Sequence, residues 1–417
     1  MRRQIEGSRA VALAVALSRP EVICAYPITP QTHIVEALGL LVKRGDLAPC
    51  EFVNVESEFA AMSVAIGASA AGARAYTATA SQGLLYMAEA VYNAAGLGLP
   101  IVMTIANRAI GAPINIWNDH SDSMALRDSG WIQLYARDNQ EAADLHIQAF
   151  RLAEELSQPV MVCMDGFVLT HAFEPVDIPA QEQVDAYLPP YVPRQVLDPD
   201  DPVSIGALVG PEAFTEVRYL ADRRLRQALD LIPSLQSEFA GLFGRDSGGL
   251  VRPYRLEGAT TVIIALGSVM GTVSDVVDEM REAGIAIGAL GVTTFRPFPQ
   301  AAVRSALGDA QRVVVIEKAF APGAGGILSA DIRLALDGTQ TNCHTVVAGL
   351  GGRPITSSSL HRLFESALSG DLEAYTFLDL QTGVVERELR RLAMARRSGP
   401  SAENILRELA VVSGPMD

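Results

Sequence analysis

Residues 73–105 read ARAYTATASQGLLYMAEAVYNAAGLGLPIVMTI. Ala73 to Thr79 reads as a strand that stops at the polar loop Ala80-Ser81-Gln82-Gly83. A helix is expected from there to about Ala95, and Pro100 to Ile105 is a strongly apolar strand. The same alternation extends both ways. Upstream, Gly7-Ser8 opens an Ala-rich helix, with Ser8 as its expected N-cap. Glu21 to Tyr26 is a short buried strand, stopped by Pro27. A helix follows over 32–44, a strand over 52–55 and a helix over 57–71. Downstream, a helix over 141–156 precedes the strand 160–164. Strands that alternate with helices in this way predict a parallel α/β sheet.

The character of the chain changes after His171. Residues 174 to about 210 are rich in proline, with Pro189-Pro190 and Pro193, and read as a long connection. Residues 213–244 have helical periodicity and predict an excursion at the surface. Near Thr260 a second α/β unit starts, with the strand 261–266, a helix over 272–283 and strands over 286–292 and 312–316. From about Asp379 the chain is helical and charged, with no readable role. The reading is therefore α/β with two doubly wound units: residues 1–175, a linker with a helical excursion over 176–258, a second domain over 259–395, and a tail over 396–417.

Composition narrows the function classes. The chain has 417 residues, 49% of them hydrophobic and 19% charged, which describes a globular protein with two cores. A formal net charge of −15 argues against a nucleic-acid partner, because phosphate contacts need a basic face. The four cysteines, Cys24, Cys50, Cys163 and Cys343, form no C-x-x-C pair. That spacing argues against a zinc ribbon or an iron–sulfur cluster within the chain, gives no disulfide framework, and fits a reducing cytoplasm. The apolar stretch from Ala10 to Leu17 runs into Ser18-Arg19-Pro20 and reads as a helix rather than a signal peptide. No stretch is apolar for long enough to span a membrane.

In open α/β sheets, ligands bind at loops beyond the carboxyl ends of the strands. Three such loops carry unusual residues. In Tyr26-Pro27-Ile28-Thr29-Pro30, two prolines fix the backbone around Thr29, which could equally be a helix cap. In Val55-Glu56-Ser57-Glu58, Ser57 is the expected N-cap and Glu58 lies in the first helical turn, where the dipole favours an anion. Read alone, Glu58 is a well-placed cap residue. Arg108, after the strand 100–105, suits two-point binding of a carboxylate or a structural ion pair. A fourth segment, Ile116 to Asp122, is dense in polar groups and reads as a loop against a ligand or another subunit. His120 between Asp119 and Asp122 has no diagnostic metal spacing, and no residue is assigned to a metal.

Together these strings are more specific than each alone. YPITP (26–30), VESEFAAM (55–62), TATASQGL (77–84), IANRAI (105–110) and INIWNDHSDS (114–123) closely resemble the α subunit of the 2-oxoacid:ferredoxin oxidoreductases, and within that family the pyruvate enzymes. The strong match covers roughly residues 5–175; GSVMGT (267–272) and FRPFP (295–299) resemble the family's transketolase C-terminal-like domain less specifically. The resemblance implies that residues 1–175 are a thiamine diphosphate pyrimidine-binding domain, in which Glu58 hydrogen-bonds N1′ of the aminopyrimidine. It implies that Thr29 touches the substrate, that Arg108 pairs with the substrate carboxylate, and that the backbone at Pro27 approaches the cofactor. It implies oxidative decarboxylation of pyruvate to acetyl-CoA, with electrons passed to ferredoxin. The same chemistry on 2-oxoglutarate or a branched-chain 2-oxo acid, and a non-catalytic scaffold, are the alternatives. No G-D-G diphosphate motif is present: Asp165-Gly166 lacks the preceding glycine. The resemblance therefore implies a β subunit carrying the diphosphate and Mg2+ site, and γ- and δ-type subunits, with the [4Fe-4S] clusters on partner chains. This chain would be inactive alone.

Overall fold

The computed structural model describes residues 2–202, 204–394, 399–409 and 411. Two sheets form the frame. The first has seven strands in the order Thr294–Arg296, Ile132–Tyr135, Val160–Asp165, Val102–Asn107, Ala75–Thr79, Val22–Ala25, Glu51–Asn54. All are parallel except Thr294–Arg296, which runs antiparallel to Ile132–Tyr135. Its central strands, AYTAT, VMTIAN and VMVCMD, are buried at every position, as expected when helices cover both faces.

Helices Gly7–Leu17 and Thr32–Arg44 pack on one face and Glu58–Ala70 and Ala88–Leu97 on the other. The chain goes from strand Val22–Ala25 outward to Glu51–Asn54, then crosses back to Ala75–Thr79 on the other side. The strand order reverses between Val22–Ala25 and Ala75–Thr79. A crevice opens at such a switch point, between the loops at 26–30 and 80–83.

The second sheet has six strands in the order Tyr375–Phe377, Asn342–Val347, Arg312–Glu317, Thr261–Ala265, Ile287–Val292, Val251–Tyr254, with only the last antiparallel. The two units share a core. One apolar cluster runs from Met62, Leu84 and Trp131 of the first to Ile264, Val292 and Phe295 of the second. Phe295, within FRPFP, is buried against the Tyr135 ring at the seam, which puts that motif's strand in the first sheet.

Several expectations need correction. Ser8 is not the N-cap of its helix: the cap position is Glu6, and the Ser8 hydroxyl donates to the Thr170 carbonyl at 2.8 Å. The helix expected to reach Ala95 is broken at Met87 into Ser81–Tyr86 and Ala88–Leu97. The helix expected from Thr272 starts at Val269. The surface excursion is only half one. Helix Phe214–Phe243 buries Ile232, Leu235, Phe239 and Phe243 against the first unit, while Phe214, Tyr219 and Leu220 stay exposed. Each of those buried side chains is worth about 1.5–3 kcal/mol, enough to fix that end of the helix. Periodicity reports an amphipathic stripe but not the length of it that finds a partner.

Candidate functional site

Four loops at the carboxyl edge of the first sheet meet at the crevice. Glu58 opens helix Glu58–Ala70, and Ser57 caps it by accepting from Ala60 N at 3.2 Å. Ser57, not Glu58, is therefore the cap. The Glu58 side chain is only 8% exposed yet makes no hydrogen bond or ion pair with another described residue. It lies over Gly83. A Cβ there would stand 2.6 Å from Glu58 Oε1 and 2.6 Å from Thr79 Oγ1, so only glycine leaves room for this carboxylate. The Thr79 hydroxyl is also buried without a hydrogen-bond partner.

Arg108 follows strand Val102–Asn107 and spans the crevice. Its Nη1 donates to the Thr29 carbonyl at 2.7 Å and its Nη2 to Gln82 Oε1 at 3.2 Å. It thus joins the two loops on either side of the switch point. The guanidinium is 9% exposed, pairs with no carboxylate among the described residues, and leaves Nε without a partner. Burial pushes its pKa down, against an upward pull from Asp122. The structural ion pair that the sequence left open is absent among the described residues. Thr29 is exposed and enters the site through its carbonyl rather than its hydroxyl. Pro27 is also exposed, on the loop after strand Val22–Ala25.

Asp122 holds the loops in place. It is fully buried and accepts from Ser81 N at 2.9 Å, Arg108 N at 3.0 Å, Asn107 Nδ2 at 2.8 Å and Ser123 N at 2.7 Å. One carboxylate therefore ties the ends of strands Ala75–Thr79 and Val102–Asn107 together. Burial pushes its pKa up, and these hydrogen bonds pull it back. Sequence reasoning assigned no role to Asp122, Gln82 or Gly83, although SQG and NDHSDS both lay within strings already singled out.

The polar segment 116–122 divides in two. Asp122 serves the crevice, while Asn118, Asp119 and His120 turn to the second unit. His120 Nε2 donates to Asp165 Oδ1 at 2.6 Å. Asp165 Oδ2 accepts from Ser268 N at 2.9 Å, from the Ser268 hydroxyl, and from Lys318 Nζ at 2.7 Å. Lys318 also donates to Asn118 Oδ1 at 3.2 Å, and Asp119 Oδ2 accepts from Gly351 N at 3.1 Å. Burial alone would raise the Asp165 carboxyl, but Lys318 and His120 hold it well below the usual carboxylate range. Asp165 is thus a tie between the two units. His120 belongs to that tie and to no cluster of metal-capable side chains among the described residues.

The crevice fits the pyrimidine half of thiamine diphosphate. It presents a buried carboxylate with no partner among the described residues, a glycine-backed gap beside it, and a buried guanidinium with no carboxylate partner among the described residues. Comparison with known proteins supports a thiamine diphosphate-binding domain. Residues 14–235 match the family described as pyruvate flavodoxin/ferredoxin oxidoreductase, thiamine diphosphate-binding, and residues 259–360 match pyruvate:ferredoxin oxidoreductase core domain II. The chain is 47% identical over 386 residues to the pyruvate synthase subunit PorA of Methanosarcina barkeri, covering 90% of this chain and 96% of that one. It is 43% identical to the same subunit of Thermotoga maritima, covering 89% and 95%. It is 37% identical to the ketoisovalerate oxidoreductase subunit VorA of Pyrococcus abyssi, covering 93% and 97%. Its fold is similar to that of a 2-oxoglutarate:ferredoxin oxidoreductase from Magnetococcus marinus, solved with 2-oxoglutarate, coenzyme A and succinyl-CoA. That match has a TM-score of 0.67 and 22% identity, and covers 87% of this chain but 65% of that one.

Proposed function

Because this chain belongs to the pyruvate flavodoxin/ferredoxin oxidoreductase family, we propose that it is the α subunit of a pyruvate:ferredoxin oxidoreductase. The reaction converts pyruvate and coenzyme A to acetyl-CoA, CO2 and a proton, and passes two electrons to ferredoxin. One observation carries the reading: Glu58 and Arg108 are buried, of opposite charge type, and without charged partners among the described residues, beside one switch-point crevice. Leaving a buried charge without a counter-ion is costly in a folded chain unless a ligand completes it.

The residues have separate tasks. Glu58 holds and exchanges a proton at N1′ of the aminopyrimidine. When bound, thiamine diphosphate supplies the carbon nucleophile and takes up the electron pair released with CO2. Arg108 orients the substrate carboxylate, and Gln82 and the Thr29 carbonyl fix Arg108 from opposite sides. Thr29 borders the substrate and Pro27 the cofactor. Asp122 keeps the loops of Ser81 and Arg108 in register, so the site is pre-organised before substrate arrives.

The rest of the site comes from partner chains: a β subunit with the diphosphate and Mg2+ site, and γ- and δ-type subunits with [4Fe-4S] clusters that lead to ferredoxin. The exposed rings of Phe59, next to Glu58, and of Tyr86 packed against it support a docked partner, at 40% and 62% exposed. We assign residues 1–175 as the pyrimidine-binding domain, 176–258 as the linker, 259–395 as the transketolase C-terminal-like domain and 396–417 as a tail, and place the complex in the cytoplasm. No helix among the described residues is long and apolar enough to cross a membrane.

A branched-chain 2-oxo acid is the second reading, supported by the 37% identity to the ketoisovalerate subunit. The higher identity to the pyruvate subunits favours pyruvate. The test is turnover of the purified complex against a panel of 2-oxo acids, with coenzyme A and a low-potential acceptor. Pyruvate is expected to give the highest kcat/KM. A higher value for 2-oxoglutarate or a branched-chain acid overturns the substrate, and no turnover with any acid overturns the catalytic role.

A further inference from the structure

Away from Glu58 and Arg108, three side chains from distant parts of the chain converge. Glu6 ends strand Arg2–Glu6, His33 lies in the first turn of helix Thr32–Arg44, and His171 lies in the connection between strands Val160–Asp165 and Phe173–Asp177. One ligand-capable atom from each lies within 4.8 Å of the others. We propose that Glu6, His33 and His171 form a divalent transition-metal site, suited to Zn2+, with two imidazoles and one carboxylate as ligands.

The surroundings support ligation in several ways. The Glu6 carboxylate is 8% exposed, and Oε1 meets His33 Nδ1 at 2.6 Å. Its nearest cation, Arg9, stands 3.9 Å away on a side chain that is 70% exposed, so it competes weakly. The two imidazole rings lie close, with centroids 4.7 Å apart and planes tilted by 37°. His171 Nδ1 is 2.7 Å from the Thr170 hydroxyl, whose oxygen also accepts from Phe167 N at 2.8 Å. Donation of Nδ1–H to that oxygen leaves the Nε2 lone pair of His171 free. Metal-bound histidines characteristically anchor their second nitrogen in this way.

Ligand bonds of about 2.0–2.1 Å around a tetrahedral ion separate ligand atoms by roughly 3.3 Å. The Glu6–His33 contact would therefore open slightly on metal entry, well within side-chain freedom. His33 is 47% exposed, which gives the ion a path in and leaves a coordination position for water. Three ligands with an open position suit zinc or a neighbouring late divalent ion better than Mg2+ or Ca2+, which prefer all-oxygen shells.

An ion here would tie three segments together beside the crevice. His33 lies three residues past Pro30, and Pro30 packs against Gly166, just before the turn that carries His171. Occupancy would fasten the Thr29 loop to that turn. The site does not depend on which reaction the chain performs.

The test is calorimetric titration of Zn2+ into the chelator-treated complex, with Mg2+ in excess, for wild type and for His33→Ala, His171→Ala and Glu6→Gln. Each variant should show one Zn2+ site fewer per copy of this chain, or the same site weakened more than about tenfold. Unchanged number and affinity in His33→Ala and His171→Ala overturn the proposal. His33→Gln, at a half-exposed position, serves as a second variant should an alanine variant fail to assemble. X-ray absorption at the zinc edge should show nitrogen and oxygen neighbours with imidazole scattering, and a sulfur shell would place the ion elsewhere. Zn2+ should raise the Tm of the wild-type complex but not that of His171→Ala.

Discussion

Two buried clusters of charge sit at the carboxyl edges of the sheets and are built on opposite rules. At the seam, Asp165 is saturated: His120, Ser268 and Lys318 supply four hydrogen bonds to its two oxygens. In the crevice, the Glu58 side chain has no partner among the described residues, and the Arg108 guanidinium donates only to a carbonyl and an amide oxygen among them. The seam spends each charge on a fixed neighbour, which makes it a structural tie between two units. The crevice keeps its carboxylate and its guanidinium apart, each available to a ligand. Burial and charge alone do not separate these roles; the completeness of pairing does.

The comparison can be broken in four ways. The largest effect is expected for Glu58→Gln, which removes the proton exchange but leaves the packing over Gly83. Turnover of the complex should fall by about 10²–10⁴-fold, with assembly and Tm close to wild type. Near-normal turnover would remove Glu58 from the chemistry.

Lys318→Met acts on the other cluster. It leaves Asp165 buried with its main counter-charge gone, so stability should fall by about 3–5 kcal/mol in urea unfolding. A change below about 1 kcal/mol would mean that the tie is not what holds the seam.

Proton linkage gives a third contrast. His146 is fully buried under the crevice sheet, with Nδ1 to the Ala142 carbonyl at 2.6 Å and Nε2 to the Thr104 hydroxyl at 2.5 Å. Burial, opposed by the Ala142 carbonyl, holds its pKa down at about 4. The unfolded chain takes up that proton near pH 6.5. Between these values the unfolded state binds more protons, so His146 should cost stability as pH falls from about 6.5 to 4, on the order of 3 kcal/mol in all. Asp165 works in the opposite range. Its depressed pKa keeps the seam's contribution intact above the usual carboxylate pKa and loses it only at more acid pH. Urea midpoints measured from pH 7 to 4 should therefore fall less steeply in His146→Gln. An unchanged slope would sink the assignment.

The smallest of the four is Arg108→Ala. Loss of a charge-assisted contact with the carboxylate costs about 1.5–3 kcal/mol, so the KM for pyruvate should rise about 10–100-fold, more than kcat falls. An unchanged KM would place the substrate elsewhere.

Much of this was legible in the chain before its structure. Strands such as Val102–Asn107 and Val160–Asp165 announce themselves as apolar runs between helices, because central parallel strands are buried on both faces. Glu58, Arg108 and Thr29 stood at predicted strand or helix ends, where an α/β sheet places its ligands. Strand Thr294–Arg296 was hidden, since three residues carry no period and the sheet it joins belongs to the other unit.

Local sequence determined the alternation of strand and helix, the switch-point loops and the residue types they carry. Tertiary structure alone decided which charges were paired. Asp122, in the first turn of a short helix, and Asp165, the last residue of a strand, are both buried acids, yet one organises the crevice and the other closes the seam, across 103 residues to Ser268 and 153 to Lys318. The grouping of Glu6, His33 and His171 is of the same kind. The reason is physical: backbone propensity and apolar periodicity act over a few residues, whereas a charge is defined by neighbours that only the completed fold brings within hydrogen-bonding reach.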